Sequence, residues 1–120
     1  MTPKIDNTSF GYITIEGKTY EHDIIIRLNG EVEKRKKKLS KKYYDTSHII
    51  SDEEAKHIYE AGAENLIIGS GQTGMVRFSD EAAEFFKKKN CSVEIMPTTI
   101  AAQNWNEKEG SFIGLFHITC

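Results

Sequence analysis

The chain has 120 residues, 38% hydrophobic and 28% charged, with a formal net charge of -2. This size suits a single domain over residues 1–120, able to hide roughly 65% of its unfolded surface without a disulfide or metal to hold it. The composition fits an ordinary globular protein rather than a disordered one, and no apolar run approaches the roughly 20 residues that span a bilayer. Met1-Thr-Pro-Lys-Ile-Asp-Asn7 has neither an apolar signal core nor an Arg-rich transit pattern. Cys91 and Cys120 are too few and too far apart for a disulfide framework. A reducing cytoplasm is the expected setting.

The first third reads as strands. Phe10 to Ile15 alternates and is rich in β-branched and aromatic residues. A turn at Glu16-Gly17-Lys18 leads into a second strand, Thr19 to Leu28, with Tyr20, His22, Ile24, Ile26 and Leu28 on one face by the period of two. Asn29-Gly30 is a strong hairpin signal, because both residues tolerate positive φ. A third, charged and exposed strand is expected from Glu31 to about Lys36. Lys37 to Ile50 then reads as a long connecting loop. Lys34 to Lys42 holds seven of the sixteen basic residues, so the rest of the chain is acidic. A basic block of this kind suits a solvated edge strand, where lysines deter edge-to-edge pairing. Tyr43-Tyr44 beside it could stack bases, but one short block on an acidic body makes nucleic acid an unfavoured partner.

From Ser51 onward helix and strand alternate. Ser51-Asp-Glu-Glu54 is a capping box in which Ser51 caps the helix and Glu54 reaches back to it. Ala55, Ile58 and Tyr59 form the apolar face of that helix, and Gly62 ends it. Leu66 to Ile68 is the next strand. Ser79-Asp-Glu caps a helix over Asp80 to Lys89, whose terminal lysines suit the negative end of its dipole. Val93 to Met96 is a strand, and Pro97-Thr98-Thr99 opens a third helix with Ala101, Ala102 and Trp105 as its core face. Phe112 to about Thr119 is apolar on both faces, which marks a central strand. The sum is βββ-α-β-α-β-α-β, an α/β fold with three layers: a mixed central sheet, flanking helices and an N-terminal β-hairpin unit.

One motif carries chemistry by spacing. Gly69, Gly71 and Gly74 follow an apolar run as G-x-G-x-x-G, the loop that often cradles a pyrophosphate. In a dinucleotide fingerprint the third glycine opens a helix, and an acidic residue ends the next strand. Here Met75-Val-Arg-Phe78 intervenes, and Glu94 lies inside its strand. A P-loop fails as well, since Met75 and Val76 stand where Lys and Ser/Thr are required. What remains is a sharp turn at the carboxyl end of a buried strand, where Gln72, Thr73 and Arg77 could contact a small ligand. No cofactor is implied. The four histidines, His22, His48, His57 and His117, show no zinc spacing, so no metal is expected. His117 and Cys120 lie three apart and would face opposite sides of a strand, which argues against a Cys-His catalytic pair.

Several of these features recur together: Gly17-x-x-Tyr20, Asn29-Gly30, a His before the first capped helix, Leu66-Ile-Ile-Gly-Ser-Gly71, Trp105-Asn106 and Gly114-Leu-Phe-His-Ile-Thr-Cys120. In this order they resemble the small Mth-like (Mth-nine-three-eight-like) domain family of unknown function. That family includes the adipogenesis-associated domain-containing protein and mitochondrial complex I assembly factor three. The resemblance runs from about Phe10 to Cys120. It implies the three-layer fold and no established catalysis, and its best-understood relative acts through protein contacts. Relatives often carry a tryptophan in the third strand, where this chain has Lys34 to Lys38.

Two functional expectations follow. The first is a non-enzymatic, assembly-factor-like module that binds a protein partner, alone or as a homodimer, with Lys36, Lys37 and Lys38 on the candidate surface. The second is a small-ligand or nucleotide site, enzymatic in one form, at Gly69, Gly71, Gln72, Thr73, Gly74 and Arg77, with His48 or Asn106 brought in by the fold.

Overall fold

A computed structural model describes residues 2–119. Five strands form a mixed sheet in the order β5-β4-β10-β7-β9. They are β4 (Ile24–Ile26), β5 (Val32–Lys34), β7 (Asn65–Ser70), β9 (Ser92–Met96) and β10 (Phe112–His117). β10 runs parallel to β7 with Gly114 opposite Ile67, and β7 runs parallel to β9. On its other side β10 is antiparallel to β4, with Gly114 opposite Ile26. The expected central strand is therefore central, and its two apolar faces feed two cores.

One core contains Ile113, Leu115, Leu66, Ile68 and Ile25 from the sheet. Against them pack Ala55 and Ile58 of α2 (Asp52–Ile58) and Ala82 and Phe86 of α3 (Asp80–Lys88). The opposite core holds Phe112, Phe116, Ile24, Ile26 and Ile67 under Ala101, Ala102 and Trp105 of α4 (Thr98–Glu107). An antiparallel unit of β1 (Ile5–Ser9), β2 (Tyr12–Ile15) and β3 (Lys18–Tyr20) completes that core with Ile5, Ile13 and Ile15. These are the expected three layers.

Asn106 fixes the third layer to the second. It accepts from the Ile5 amide at 2.9 Å and donates to the Ile5 carbonyl at 2.8 Å, while Trp105 Nε1 donates to the Pro3 carbonyl at 2.8 Å. The Trp105-Asn106 pair is thus a clamp on the first strand. The turns fall where expected: Glu16 and Gly17 join β2 to β3, and Asn29-Gly30 joins β4 to β5 with Gly30 at φ 91°. Ser79 caps α3 by accepting from the Ala82 amide.

The N-terminal half departs from the expected order in three places. β1 precedes the first expected strand; its Ile5-Asp-Asn-Thr-Ser9 has one buried side chain and so little period to detect. Thr19 to Leu28 is two strands, because the chain leaves one sheet after Tyr20 and enters the other at Ile24. A period of two continues through such a jump and conceals it. The loop from Lys37 to Ile50 contains α1 (Lys38–Tyr44) and the short β6 (Ile49–Ile50), which pairs in parallel with β8 (Arg77–Phe78). Among the described residues no helix is long and apolar enough to cross a membrane.

Gly114 has no room for a side chain: an added Cβ would lie 2.8 Å from Trp105 Cζ3 and 2.7 Å from Phe116 Cε2. Both rings are buried. Gly114→Ala is expected to cost about 1–3 kcal/mol through overpacking, measured as a lower urea midpoint with an unchanged m-value.

Candidate functional site

The most polar region of the interior lies at the carboxyl end of β10. Asp23, in the jump between sheets, sits immediately before Ile24, the antiparallel partner of Phe116. Its carboxylate therefore reaches the carboxyl end of β10: Oδ1 accepts from the Ile118 amide at 3.0 Å and Oδ2 from His117 Nδ1 at 2.7 Å. Arg35 extends the β4–β5 ladder by donating its amide to the Asp23 carbonyl at 2.9 Å. Its side chain turns inward, where it is 3% exposed.

The guanidinium is held on three sides. Nη1 donates to Asp23 Oδ2 at 2.9 Å, and Nη2 donates to the Ser47 carbonyl at 2.7 Å. Nε and Nη2 fork onto the Glu54 carboxylate at 2.6 and 3.1 Å. Arginine suits this place because its planar fork engages a carboxylate with two parallel bonds. Glu54 is fully buried and also accepts a short hydrogen bond from Ser40 Oγ of α1. Ser40 in turn accepts from the Ser51 amide at 2.9 Å.

Half of the expected capping box is present. Ser51 Oγ accepts from the Glu54 amide at 3.1 Å, but the Glu54 carboxylate does not reach back. It turns to Arg35, and Ser40 takes its place at the Ser51 amide. The reason is electrostatic: an unpaired buried guanidinium costs more than one capping bond. Arg35 likewise corrects the view of the basic block as a wholly solvated face. It is the one arginine in a run of lysines, and that is the signal in the sequence that could have singled it out.

Burial alone would push the Asp23 carboxyl up. The hydrogen bond from His117 and the positive charges of His117 and Arg35 outweigh it and hold Asp23 down to about 2. His48 meets His117 edge-on, with ring centroids 5.5 Å apart. Burial and the positive charges of His117, Arg35 and Lys37 hold His48 below the ordinary histidine range.

Above this cluster a cleft of about 660 Å³ opens between the three-stranded unit and the basic block. Asp23, Arg35 and Ile118 are its buried floor. Gly11 and His22 stand on the side of the three-stranded unit, and Lys34, Lys36, Lys37 and Lys38 on the other. Lys37 Nζ lies 3.6 Å from Asp23 Oδ2. The expected surface residues Lys36, Lys37 and Lys38 therefore border a cavity rather than a flat edge.

The glycine turn is built differently from a phosphate cradle. In a doubly wound sheet the crevice lies where connections leave for opposite faces. Here β7 leads toward α3 and β9 toward α4, and the gap between them is filled by Thr98. Its hydroxyl donates to the His117 carbonyl at 2.5 Å and accepts from the Gly71 amide at 2.9 Å, while its own amide donates to the Gly71 carbonyl. The Gln72 amide donates to the Thr119 carbonyl at 2.8 Å. Two backbone donors that an anion would need are thus engaged. Gly69 lacks a side chain because Thr98 and Phe116 lie 2.9 Å from where a Cβ would be. Gln72, Thr73 and Gly74 are exposed at the tip.

The structure brings some of the second group of candidates together and separates others. His48 and Arg77 meet through the backbone, the Arg77 amide donating to the His48 carbonyl at 2.8 Å. Asn106 lies at the far end of α4 from Gly71, with its amide group engaged by Ile5. Among the described residues no three His, Cys, Asp or Glu side chains converge on a metal position. Burial pushes the Cys91 thiol up to about 11, away from a nucleophilic thiolate. Cys120 lies outside the described residues.

A three-layer α/β domain with a buried arginine cluster under a basic cleft is the type of molecule the geometry defines. The family model for a protein of unknown function (DUF498/DUF598) matches residues 5–111, and the chain belongs to this family. It is similar to conserved hypothetical protein PH1505 from Pyrococcus horikoshii OT3, with 31% identity, a TM-score of 0.88, and 98% of this chain and 99% of that one covered. It is also similar to the protein MT938, with 29% identity, a TM-score of 0.82 and coverage of 99% and 100%. A Mth938-like domain protein from Bordetella pertussis shares the fold at 16% identity and a TM-score of 0.63, over 97% of this chain and 85% of its own. The expected family and fold are thereby borne out.

Arg35→Met leaves two buried carboxylates facing each other and is expected to destabilise by about 3–5 kcal/mol in urea unfolding. The acid limb carries a second expectation. Asp23 has a folded pKa of about 2 against an ordinary 3.8. Its contribution is therefore complete above pH 4 and is lost as pH falls toward 2, about 2 kcal/mol in all. Unfolding free energies measured from pH 5 to pH 2 should fall less steeply for Asp23→Asn than for the wild type.

Proposed function

We propose that this domain is a non-enzymatic binding module that docks an acidic segment of a protein partner on the cleft bordered by Lys36, Lys37 and Lys38. The observation that carries this reading is the placement of the basic block. The body of the chain is acidic, yet four lysines of one short run, Lys34, Lys36, Lys37 and Lys38, stand together at the mouth of one cleft. Such a field steers an oppositely charged partner and fixes its orientation.

The nearby hydrogen-bonding groups are committed to structure. Asp23, Arg35, Glu54 and Ser40 satisfy one another, as do Gly71 and Thr98. This leaves recognition, and not bond-making, as the task of the surface. The mode of action resembles that of an assembly factor, and a cytoplasmic setting suits the unpaired Cys91. A nucleotide at Gly69 to Gly74 is the less supported alternative, since Gly71 and Gln72 spend their amides within the protein.

Affinity capture from native lysate, comparing the wild type with Lys36→Glu/Lys37→Glu/Lys38→Glu, tests the reading. A partner identified by mass spectrometry should be lost on charge reversal and at about 0.5 M salt, where exposed charges are screened beyond a few ångströms. Capture that is indifferent to both changes would place the partner surface elsewhere.

A further inference from the structure

We infer that the free edge of β9 is a self-association surface: it pairs antiparallel with β9 of a second copy of this chain and joins the two five-stranded sheets into one. This edge is the opposite side of the sheet from β5 and the lysine-bordered cleft.

The backbone of β9 carries the inference. β9 ends the sheet order, so no strand lies beyond it. The Ser92 amide donates inward, to the Glu64 carbonyl at 2.9 Å. Backbone groups alternate sides along a strand, so Val93 and Ile95 turn their N–H and C=O groups outward. Before them, Cys91 spends its amide on the Phe86 carbonyl at 3.1 Å; after them, Pro97 has no N–H. The open edge is therefore short and bounded at both ends. Edge strands are usually guarded by charge, proline or a bulge. β5, at the other edge, carries Glu33 and Lys34. β9 keeps an unbroken register with β7 and presents Ile95, which is 42% exposed.

The bounds select the register. An antiparallel copy centred on Glu94 sets Val93 opposite the partner's Ile95 and Ile95 opposite the partner's Val93. Both are hydrogen-bonded pairs, and every outward group of both strands is used. Centring on Val93 or Ile95 instead brings Cys91 or Pro97 into the ladder and leaves bonds unmade.

The side chains fit a second copy on both faces of the sheet. Val93 and Ile95 stand beside Leu66 and Ile68, on the α3 face. There a groove of about 460 Å³ is lined by Phe78, Ala83, Phe86, Lys87 and Val93. The pairing lays the partner's Ile95 beside Val93, at this groove, and the two-fold axis repeats the fit. The same axis sets the two α3 helices antiparallel. Ala83 is small and exposed on the groove side of α3, and Asp80 and Lys87 share that side at helical spacing. Asp80 of each copy thus approaches the partner's Lys87. On the α4 face Glu94 meets the partner's Glu94, a contact that is unfavourable for bare carboxylates. Each Glu94 is engaged by its own Lys108 and by Asn104 at 3.1 Å, so the charges arrive balanced. Ile100, 53% exposed and one turn before Asn104, adds apolar surface at the rim.

Sedimentation velocity of the full chain from about 5 µM to about 500 µM should show a mass rising toward two chains, with a dissociation constant of about 50 µM, as suits a small interface. Ile95→Lys, at an exposed position, should weaken association at least about tenfold. Oxidation reads the register. In a non-hydrogen-bonded antiparallel pair the Cα atoms lie about 4.5 Å apart, within reach of a disulfide. Glu94→Cys in a Cys91→Ala/Cys120→Ser background should therefore link into a dimer under mild oxidation, and adding Ile95→Lys should abolish the link. Ser92→Cys in the same background is exposed but lies far from its own copy in this register, and should stay unlinked. Circular dichroism checks that each variant folds. A chain that keeps the mass of one copy at about 500 µM overturns the inference. So does a Glu94→Cys variant that does not link, a Ser92→Cys variant that links as fast, or a dimer indifferent to Ile95→Lys. A chain that stays single while Ile95→Lys loses a protein captured from lysate assigns the edge to a different partner and equally overturns the second copy.

Discussion

The burial of one guanidinium sets the terms for half of this molecule. Taking Arg35 out of water costs several kcal/mol, and the cost is offset only if nearly every N–H finds a good acceptor. Four of its five N–H groups have partners: two on Glu54, one on Asp23 and one on the Ser47 carbonyl. Those partners come from the start of β4, the loop after α1 and the first turn of α2. His117 and Ile118 then tie Asp23 to the end of β10, and Ser40 ties Glu54 to α1. A shift in any of these segments leaves a buried charge short of a partner. That penalty, more than the strength of the ion pairs, gives the arrangement its uniqueness.

The central strand supplies the complementary constraint from the apolar side. β10 sends Ile113 and Leu115 into one core and Phe112 and Phe116 into the other, so both helical layers register on a single strand. At Gly114 the Trp105 ring approaches the strand itself, which brings α4 close to the sheet. Its neighbour Asn106 then captures Ile5 and with it the three-stranded unit. The cleft is a consequence of these two anchors. Asn106 and Trp105 hold the three-stranded unit, Arg35 holds the basic block, and neither anchor closes the space between Gly11 and Lys36.

The alternating second half was legible in the sequence because each element carries local information. Ser79 and Pro97 mark helix starts, Asn29-Gly30 marks a turn, and a strand apolar on both faces can only be central. The glycine spacing was legible as a turn, and Met75 to Phe78 set it apart from the strand–loop–helix order of a dinucleotide fingerprint. The basic block was only half legible. Lysine and arginine count alike in a tally of charge, but Arg35 is inside and its neighbours Lys34 and Lys36 are outside. Asp23 was hidden for a related reason: in Tyr20 to Ile24 it occupies an ordinary alternate position, and its partner His117 is 94 residues away. α1 escaped because Lys38 to Tyr44 has no apolar stripe, its one buried side chain being Ser40.

The amino-acid order thus settles what depends on neighbours within a few positions: the fold class, the serine caps of α2 and α3, the turns and the two-faced central strand. These follow from periodicity and backbone preference, which act over one or two turns of chain. Which polar residues become the interior is a different matter. Asp23, Arg35, Glu54 and His117 are spread over most of the chain, and each is an ordinary surface residue until the sheet order brings β4, β5 and β10 side by side. Folding then removes them from water together, so their charges must be matched in space and not in sequence. The cleft above them belongs to the same level, being the gap between two layers that meet only in the folded chain.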